Sequence, residues 1–281
     1  MCLAVVAIDA HPSYALVLAA NRDEFHRRPA APAAWWTAEG SVPILAGRDL
    51  EQGGTWLGIT RDGRWGFVTN VREPGRHDRR APTRGALVPA LVRNTRPALD
   101  AIASLITAAH AYNGFNLVGG DATSAAFGSN RGTATTSLGR GIHGVSNAGL
   151  DTPWPKLVRT KAALAAWAQG GIAGFDALWA ALADRTPARD AELPETGIPH
   201  ERERLLSAPF IVSNDYGTRC STIVAIDRQG DVQFVERSFD AAGAPGGEAR
   251  FRFQLDDASA SSITRWSMPA SSNTSPRATN P

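Results

Sequence analysis

The residue best placed for covalent chemistry in this 281-residue chain is the cysteine at position two. Removal of the initiator methionine leaves Cys2 with a thiol and a free α-amine, a nucleophile that carries its own base. An α-amine titrates near about 7.7–8.0 and a free thiol near about 8.5, so at neutral pH a share of the amine is neutral and can take the thiol proton. The second group of interest is Asn21-Arg22-Asp23-Glu24, at the end of a second apolar run. A short hairpin lays that run beside the first, so Cys2 and Arg22-Asp23 are expected to meet in space.

Those groups are positioned by the elements around them. Residues 3 to 9 and 14 to 20 are rich in Val, Leu and Ile and are joined by His11-Pro12-Ser13, which predicts a β-hairpin. Residues 26 to 43 hold Pro29, Pro32 and Pro43 and read as loop, with Trp35 and Trp36 more suited to packing than to lining a pocket. Gly53-Gly54-Thr55 leads into a second hairpin, 55–60 and 64–70, turned at Asp62-Gly63 and ending at Asn70. Residues 71 to 84 carry five arginines, Arg72, Arg76, Arg79, Arg80 and Arg84, against Glu73 and Asp78. They read first as a solvated basic loop, and more sharply as a binding segment for a phosphate or carboxylate.

Helical spacing follows over 85–93 and 97–109, then strands over 115–120, 123–128 and 140–146. Thr152 as cap with Pro153 at the first position predicts a helix running to Trp167, and 173–184 a second one. Residues 187–200 are proline-rich and acidic and read as irregular. Apolar runs at 209–213, 219–227 and 231–239, with an edge strand over 249–255, complete a domain expected to span 1–256. The Ser, Ala, Thr and Pro composition of 257–281 is that of a disordered tail. Strand pairs, then helices, then strand pairs is α+β and departs from the strict alternation of a doubly wound sheet.

Composition narrows the function. A net charge of +2 gives no general attraction to nucleic acid or membrane surfaces, and no apolar run approaches the roughly 18 residues of a membrane span. Two cysteines, Cys2 and Cys220, make no disulfide framework, and the amino terminus lacks the basic start of an export signal, so a reducing, cytoplasmic setting is expected. The histidines at 11, 26, 77, 110, 143 and 200 form no pair at helical ligand spacing, and no glycine-rich phosphate motif is present. Neither a metal nor a cofactor is expected.

Four separated motifs follow one another: Met-Cys at the start; Asn21-Arg22-Asp23-Glu24-Phe25 with Arg28-Pro29; Gly47-Arg48-Asp49 leading to Gly53-Gly54-Thr55-Trp56-Leu57-Gly58; and Ser146-Asn147 leading to Leu150-Asp151-Thr152-Pro153-Trp154-Pro155-Lys156. In this order they resemble the NRDE family, which includes the transport and Golgi organisation 2 proteins. That family resembles the N-terminal nucleophile hydrolases of the bile salt hydrolase and penicillin V acylase type. The resemblance implies a four-layer αββα sandwich of two antiparallel sheets. It also implies that Cys2 is the nucleophile, that Arg22 and Arg219 favour its thiolate, and that Asp23 orients the amine. Asn70 and Asn147 would then donate to an oxyanion, with Asn21, Glu24, Trp56, Arg72 and Trp154 around the substrate. In the resembled hydrolases the carboxylate stands three positions after the arginine. Here Asp23 is adjacent and Glu24 follows, which leaves open which of them reaches the amine. Alternation along a strand puts Arg219 and Cys220 on opposite faces, making Cys220 a core thiol if Arg219 faces the site.

The leading expectation is a hydrolase that cleaves an amide or thioester through an acyl-Cys2 intermediate. Its rival is a non-catalytic carrier that holds an acyl-CoA or haem in the same pocket. In both, the partner is a small molecule, an acyl-type substrate or ligand or, for the carrier, haem.

Overall fold

The apolar runs that flank His11-Pro12-Ser13 pair as β1 (Cys2–Ile8) and β2 (Tyr14–Phe25). Side-chain alternation sorts them onto two faces, both covered: Ala4, Val6, Ile8, Leu16 and Leu18 enter one buried cluster, and Leu3, Val5, Ala7, Val17 and Ala19 enter another. Burial on both faces is why these strands read as continuous apolar runs. The structure is a computed structural model that describes residues 2–37, 41–132, 134–172 and 174–256. The expected tail and Met1 lie outside the described residues.

In chain order the remaining elements are β3 (Ala30–Trp36), β4 (Ile44–Asp49), β5 (Leu57–Ile59), β6 (Trp65–Asn70), α1 (Leu87–Val92), α2 (Ala98–Thr107), β7 (Phe115–Gly120), β8 (Ala125–Ser129), β9 (Thr136–Leu138), β10 (Gly141–Val145), α3 (Pro155–Gly170), α4 (Asp176–Leu182), α5 (His200–Leu206), β11 (Tyr216–Asp227), β12 (Asp231–Phe239) and β13 (Pro245–Gln254). One antiparallel sheet has the order β10-β1-β2-β11-β12-β13, and the other has the order β3-β4-β5-β6-β7-β8-β9. Val6, Leu18, Val224 and Phe234 of the first meet Leu45, Leu57, Trp65 and Val118 of the second in the core between the sheets. Leu157, Leu164 and Trp167 of α3 cover the outer face of the first sheet, and Val88, Leu91 and Ile102 of α1 and α2 cover that of the second. The architecture is therefore the αββα sandwich. Among the described residues no helix is long and apolar enough to cross a membrane.

Several local expectations are corrected. Residues 30–36 form a strand, not a loop, because β3 is an edge strand whose register slips between Ala31 and Ala34, around Pro32, where no ladder donor is needed. Trp36 there donates to Ala46 O and Trp35 packs edge-on against Phe253, so both are packing residues. The helix expected from Pro153 begins at Pro155 with Trp154 as cap, since the Thr152 hydroxyl donates backward to Gly149 O at 3.0 Å and caps nothing. Residues 209–213 are no strand beyond one bridge, Val212 to Gly217, and β9 and α5 arise where no regular element was expected.

Candidate active site

Strand register places the chemistry. Cys2 on β1 lies across from Arg22 on β2, Arg22 lies across from Cys220 on β11, and Cys220 lies across from Ser238 on β12. Cys2, Arg22 and Cys220 share the parity of Ala4, Leu18 and Val224, which face the space between the sheets. The Arg22 guanidinium is buried and lies 4.3 Å above the centroid of Trp56. Trp56 can lie there because position 47 is glycine: a Cβ at Gly47 would stand 2.3 Å from its ring.

Beneath Arg22, the buried carboxyl of Glu236 accepts from Ala33 N at 2.7 Å and from the Thr222 hydroxyl at 3.3 Å, and the Cys220 thiol also donates to it. Burial holds the Glu236 carboxyl above the usual carboxylate range, with Arg22 among the weaker opposing influences. Burial, reinforced by Glu236, pushes the Cys220 thiol well above its ordinary value. Cys220 is thus held as a buried thiol, in the same row as Cys2.

Strand alternation fails at Arg219. The register shifts between Thr218, which pairs with Asp23, and Cys220, which pairs with Arg22, so Arg219 is the extra residue of a bulge. Its guanidinium donates to His26 O at 3.0 Å and Phe25 O at 3.4 Å, and it does not line the cavity. The second arginine expected beside the thiol is therefore turned away.

Asn21 and Asp23 face the opposite side of β2, toward the helices. Asn21 is saturated: its amide donates to Leu182 O and Pro209 O at 2.8 and 2.9 Å and accepts from Ser221 at 2.6 Å, which makes it a staple between sheet and helix layer. Asp23 accepts from the Thr218 hydroxyl at 2.7 Å, and the Tyr216 hydroxyl donates to its carbonyl at 3.0 Å. Burial raises its carboxyl, and the largest opposing influence is Lys156. Cys2 accepts from the Asp23 backbone N–H, yet burial outweighs that bond and Arg22 together, and the thiol lies above its ordinary value. This direction runs against the favoured thiolate that the resemblance implies. One guanidinium, itself turned toward Trp56, does not offset removal of the thiolate from water.

A cavity of about 600 Å³ opens at this end of the sandwich. Cys2, Arg22, Asp23, Glu24, Trp56 and Asn70 line it, whereas Asn21, Arg72, Asn147, Trp154 and Arg219 do not. Asn147 is fully buried, and its amide donates to Asn70 O at 2.9 Å while its carbonyl accepts from Arg72 N at 2.8 Å. It therefore fixes the backbone of Asn70, a residue that lines the cavity. Arg72 stacks 4.6 Å from the Trp154 ring and is bound by the buried Glu203 of α5, so this group braces the start of α3. The 71–84 segment is a cavity wall more than a free loop: His77, Arg79 and Arg84 all line it. Arg84 donates to Gly114 O at 3.1 Å, and burial lowers its pKa.

The sequence expectations do not include Lys156 or Glu236 as site residues, and they set Cys220 on the face away from Arg219 and the site. Lys156 lies fully buried in the first turn of α3. Its signal was available, because it shares a helical stripe with Thr160, Leu164 and Trp167, and because a cation is disfavoured at a helix amino terminus. Cys220 and Glu236 gave no such signal, since only the bulge and the β11–β12 register bring them under Arg22. Among the described residues no group of three His, Cys, Asp or Glu side chains stands close enough to hold a metal ion.

Two antiparallel sheets between helix layers, with Cys2 on the inner face of one sheet at a polar cavity, define an αββα protein with a thiol-bearing pocket. The profile of the family described as Transport and Golgi organisation 2 matches residues 1–241, and the chain belongs to that family. It is 36% identical over 259 residues to the Transport and Golgi organization protein 2 homolog of Bos taurus, covering 85% of this chain and 93% of that protein. The Homo sapiens homolog is also 36% identical over 259 residues with the same coverage, and the Drosophila melanogaster protein is 28% identical over 264 residues, covering 85% and 92%. Among solved structures, the C2A mutant of the conjugated bile acid hydrolase from Clostridium perfringens aligns with a TM-score of 0.44 and 7% identity, over 91% of this chain and 97% of that one.

Proposed function

We propose that the chain is an N-terminal nucleophile hydrolase that cleaves an amide or thioester through Cys2 once Met1 is removed. The observation that carries this reading is the register of Cys2 against Arg22 on a cavity that Asp23 and Asn70 also line. The Cys2 sulfur attacks the acyl carbon while its proton passes to the α-amine. The tetrahedral oxyanion collapses, the C–N or C–S bond breaks, and the amine hands the proton to the leaving group. Water, deprotonated by the same amine, then cleaves the thioester, releasing the acid and restoring the thiol.

A thiol held above its ordinary value fits this scheme, because it reacts only as a base removes its proton and does not stand as a free thiolate. Of the two candidate carboxylates, Asp23 is the better anchor for the amine, since the Glu24 carboxyl accepts from Phe25 N at 2.8 Å. Asn70, which lines the cavity, would donate to the oxyanion, a role typically worth about 3 kcal/mol in the transition state.

The test is intact-mass measurement of mature protein incubated with a panel of activated acyl esters and acyl-CoAs. An acyl adduct on wild type that is lost in Cys2→Ala supports the hydrolase. Saturable binding of a panel member, with no adduct and no acid released, contradicts it and favours the carrier reading.

A further inference from the structure

Lys156 is buried to 0% exposure, and its Nζ has no hydrogen-bond partner among the described residues. Taking an ammonium out of water without a hydrogen bond costs several kcal/mol, and the positive end of α3 adds to the penalty. The Thr160 hydroxyl donates to the Lys156 carbonyl at 2.8 Å, and α3 is pinned to β10 by Leu157, which fills the space over Gly144, so the side chain is committed to the sheet.

The charged and titratable groups that act on it come from several elements: Asp23 on the helix-facing side of β2, Cys2 on β1, and Arg72 after β6, the last held by Glu203 of α5. Glu24 and the Tyr216 hydroxyl of β11 flank Asp23 in turn. Burial lowers the Lys156 pKa and Arg72 adds to that, while Asp23 and Cys2 pull it back. Of the buried carboxylates here, Glu203 is already paired with Arg72, which leaves Asp23 as the one that gains from Lys156, and Lys156 is the largest influence keeping Asp23 from rising further.

We infer that Lys156 is a positioning residue of the site: from the first turn of α3 its ammonium holds the Asp23 carboxyl ionised, and the ionised Asp23 anchors the Cys2 amine. The role of the amine rests on the hydrolase reading, and the coupling of Lys156 to Asp23 does not. Its logic is reciprocal. An ionised Asp23 keeps the buried lysine protonated, and the protonated lysine keeps Asp23 charged in a place where burial alone would neutralise it.

The experiment is a carboxyl-carbon NMR titration of Asp23 in mature wild type and in Lys156→Met, which keeps the side-chain length and removes the charge. The Asp23 midpoint is expected to move upward. Acyl-adduct formation on Cys2 should then fall about tenfold for each unit by which that midpoint exceeds the assay pH, and should recover as the pH is raised past it. A defect of packing alone would not be cured by pH. A parallel titration of the Lys156 ammonium in Asp23→Asn, expected to lose its proton at lower pH than in wild type, covers the case in which Lys156→Met does not fold. An unmoved Asp23 midpoint in Lys156→Met, or an unmoved lysine midpoint in Asp23→Asn, overturns the inference. Coupled midpoints with no acyl adduct at any pH would uphold the coupling and overturn the hydrolase reading instead.

Discussion

Replacing Gly47 by alanine separates the role of Trp56 as a platform for Arg22 from its role as packing. A Cβ at this position would lie 2.3 and 2.4 Å from two carbons of the Trp56 ring and 3.2 Å from a Glu236 carboxyl oxygen. Carbon atoms pack best at about 3.5–4.0 Å, so the ring must retreat by roughly 1.2 Å or more. Added volume in a packed site of this kind typically costs about 1–3 kcal/mol. At about 2–4 °C per kcal/mol for a domain near this size, the melting temperature should fall by roughly 2–12 °C.

The displaced ring also removes the surface on which the Arg22 guanidinium rests, a contact worth about 2 kcal/mol when desolvated. Thermal unfolding followed by circular dichroism reads the first effect, and the change in tryptophan emission at constant fold reads the second. The control is Gly53→Ala, which meets no atom within 4 Å but requires a φ of +70°, so it carries backbone strain alone. If Gly47→Ala neither lowers the melting temperature nor alters the emission beyond the Gly53→Ala control, Trp56 does not lie over Gly47, and the placement of Arg22 falls with it.

Glu236 has a folded-state pKa above its unfolded one, so the native state binds the proton more tightly and ionisation costs stability; that cost is present above the folded pKa and fades as pH falls toward about 4.3. Glu236→Gln, which mimics the protonated form, should therefore be more stable than wild type at pH 8 in urea unfolding and should lose that advantage near pH 4.3; an advantage independent of pH contradicts the assignment. Glu203→Gln leaves the buried Arg72 without its carboxylate and should cost about 3–5 kcal/mol in the same assay, while a change below 1 kcal/mol would mean that Arg72 finds water. Iodoacetamide at pH 8 should label the partly exposed Cys2 well before the buried Cys220, as read by peptide mass, with Cys2 itself slower than a free-cysteine peptide; equal labelling of the two would place Cys220 at the surface.

The architecture was legible where local pattern suffices. The His11-Pro12-Ser13 turn and the Val, Leu and Ile runs around it gave the hairpin, and the hairpin brought Cys2 to Arg22 as expected. The NRDE motifs extended this to the sandwich, which strand pattern alone left as α+β. What stayed hidden depends on a single residue or on distant register. One extra residue at Arg219 reverses the faces of the late strand, a change that no periodicity signals, and with it Cys220 and Glu236 arrive under Arg22 while Arg219 leaves the thiol. The resemblance implies Asn147 at the cavity as an oxyanion donor. Its amide instead serves the carbonyl of Asn70, and local sequence cannot tell a residue that donates to a ligand from one that fixes its neighbour. Lys156 shares a helical stripe with the buried Thr160, Leu164 and Trp167, a pattern that signals its burial but not what its ammonium acts on.

The central claim is that the α-amine of Cys2 is the base, and the most direct test is to move that amine by one residue. A variant with alanine inserted between Met1 and Cys2 loses its methionine to leave Ala-Cys, which keeps the thiol but carries the free amine on a preceding residue. The measurement is the rate of acid release from the panel ester that acylates mature wild type best, with Cys2 alkylation of both proteins as the check that the thiol remains in place. The account predicts that acid release falls by about 10²–10⁴-fold, the usual contribution of a positioned base, while alkylation continues. Acid release at the wild-type rate from the Ala-Cys protein would contradict it.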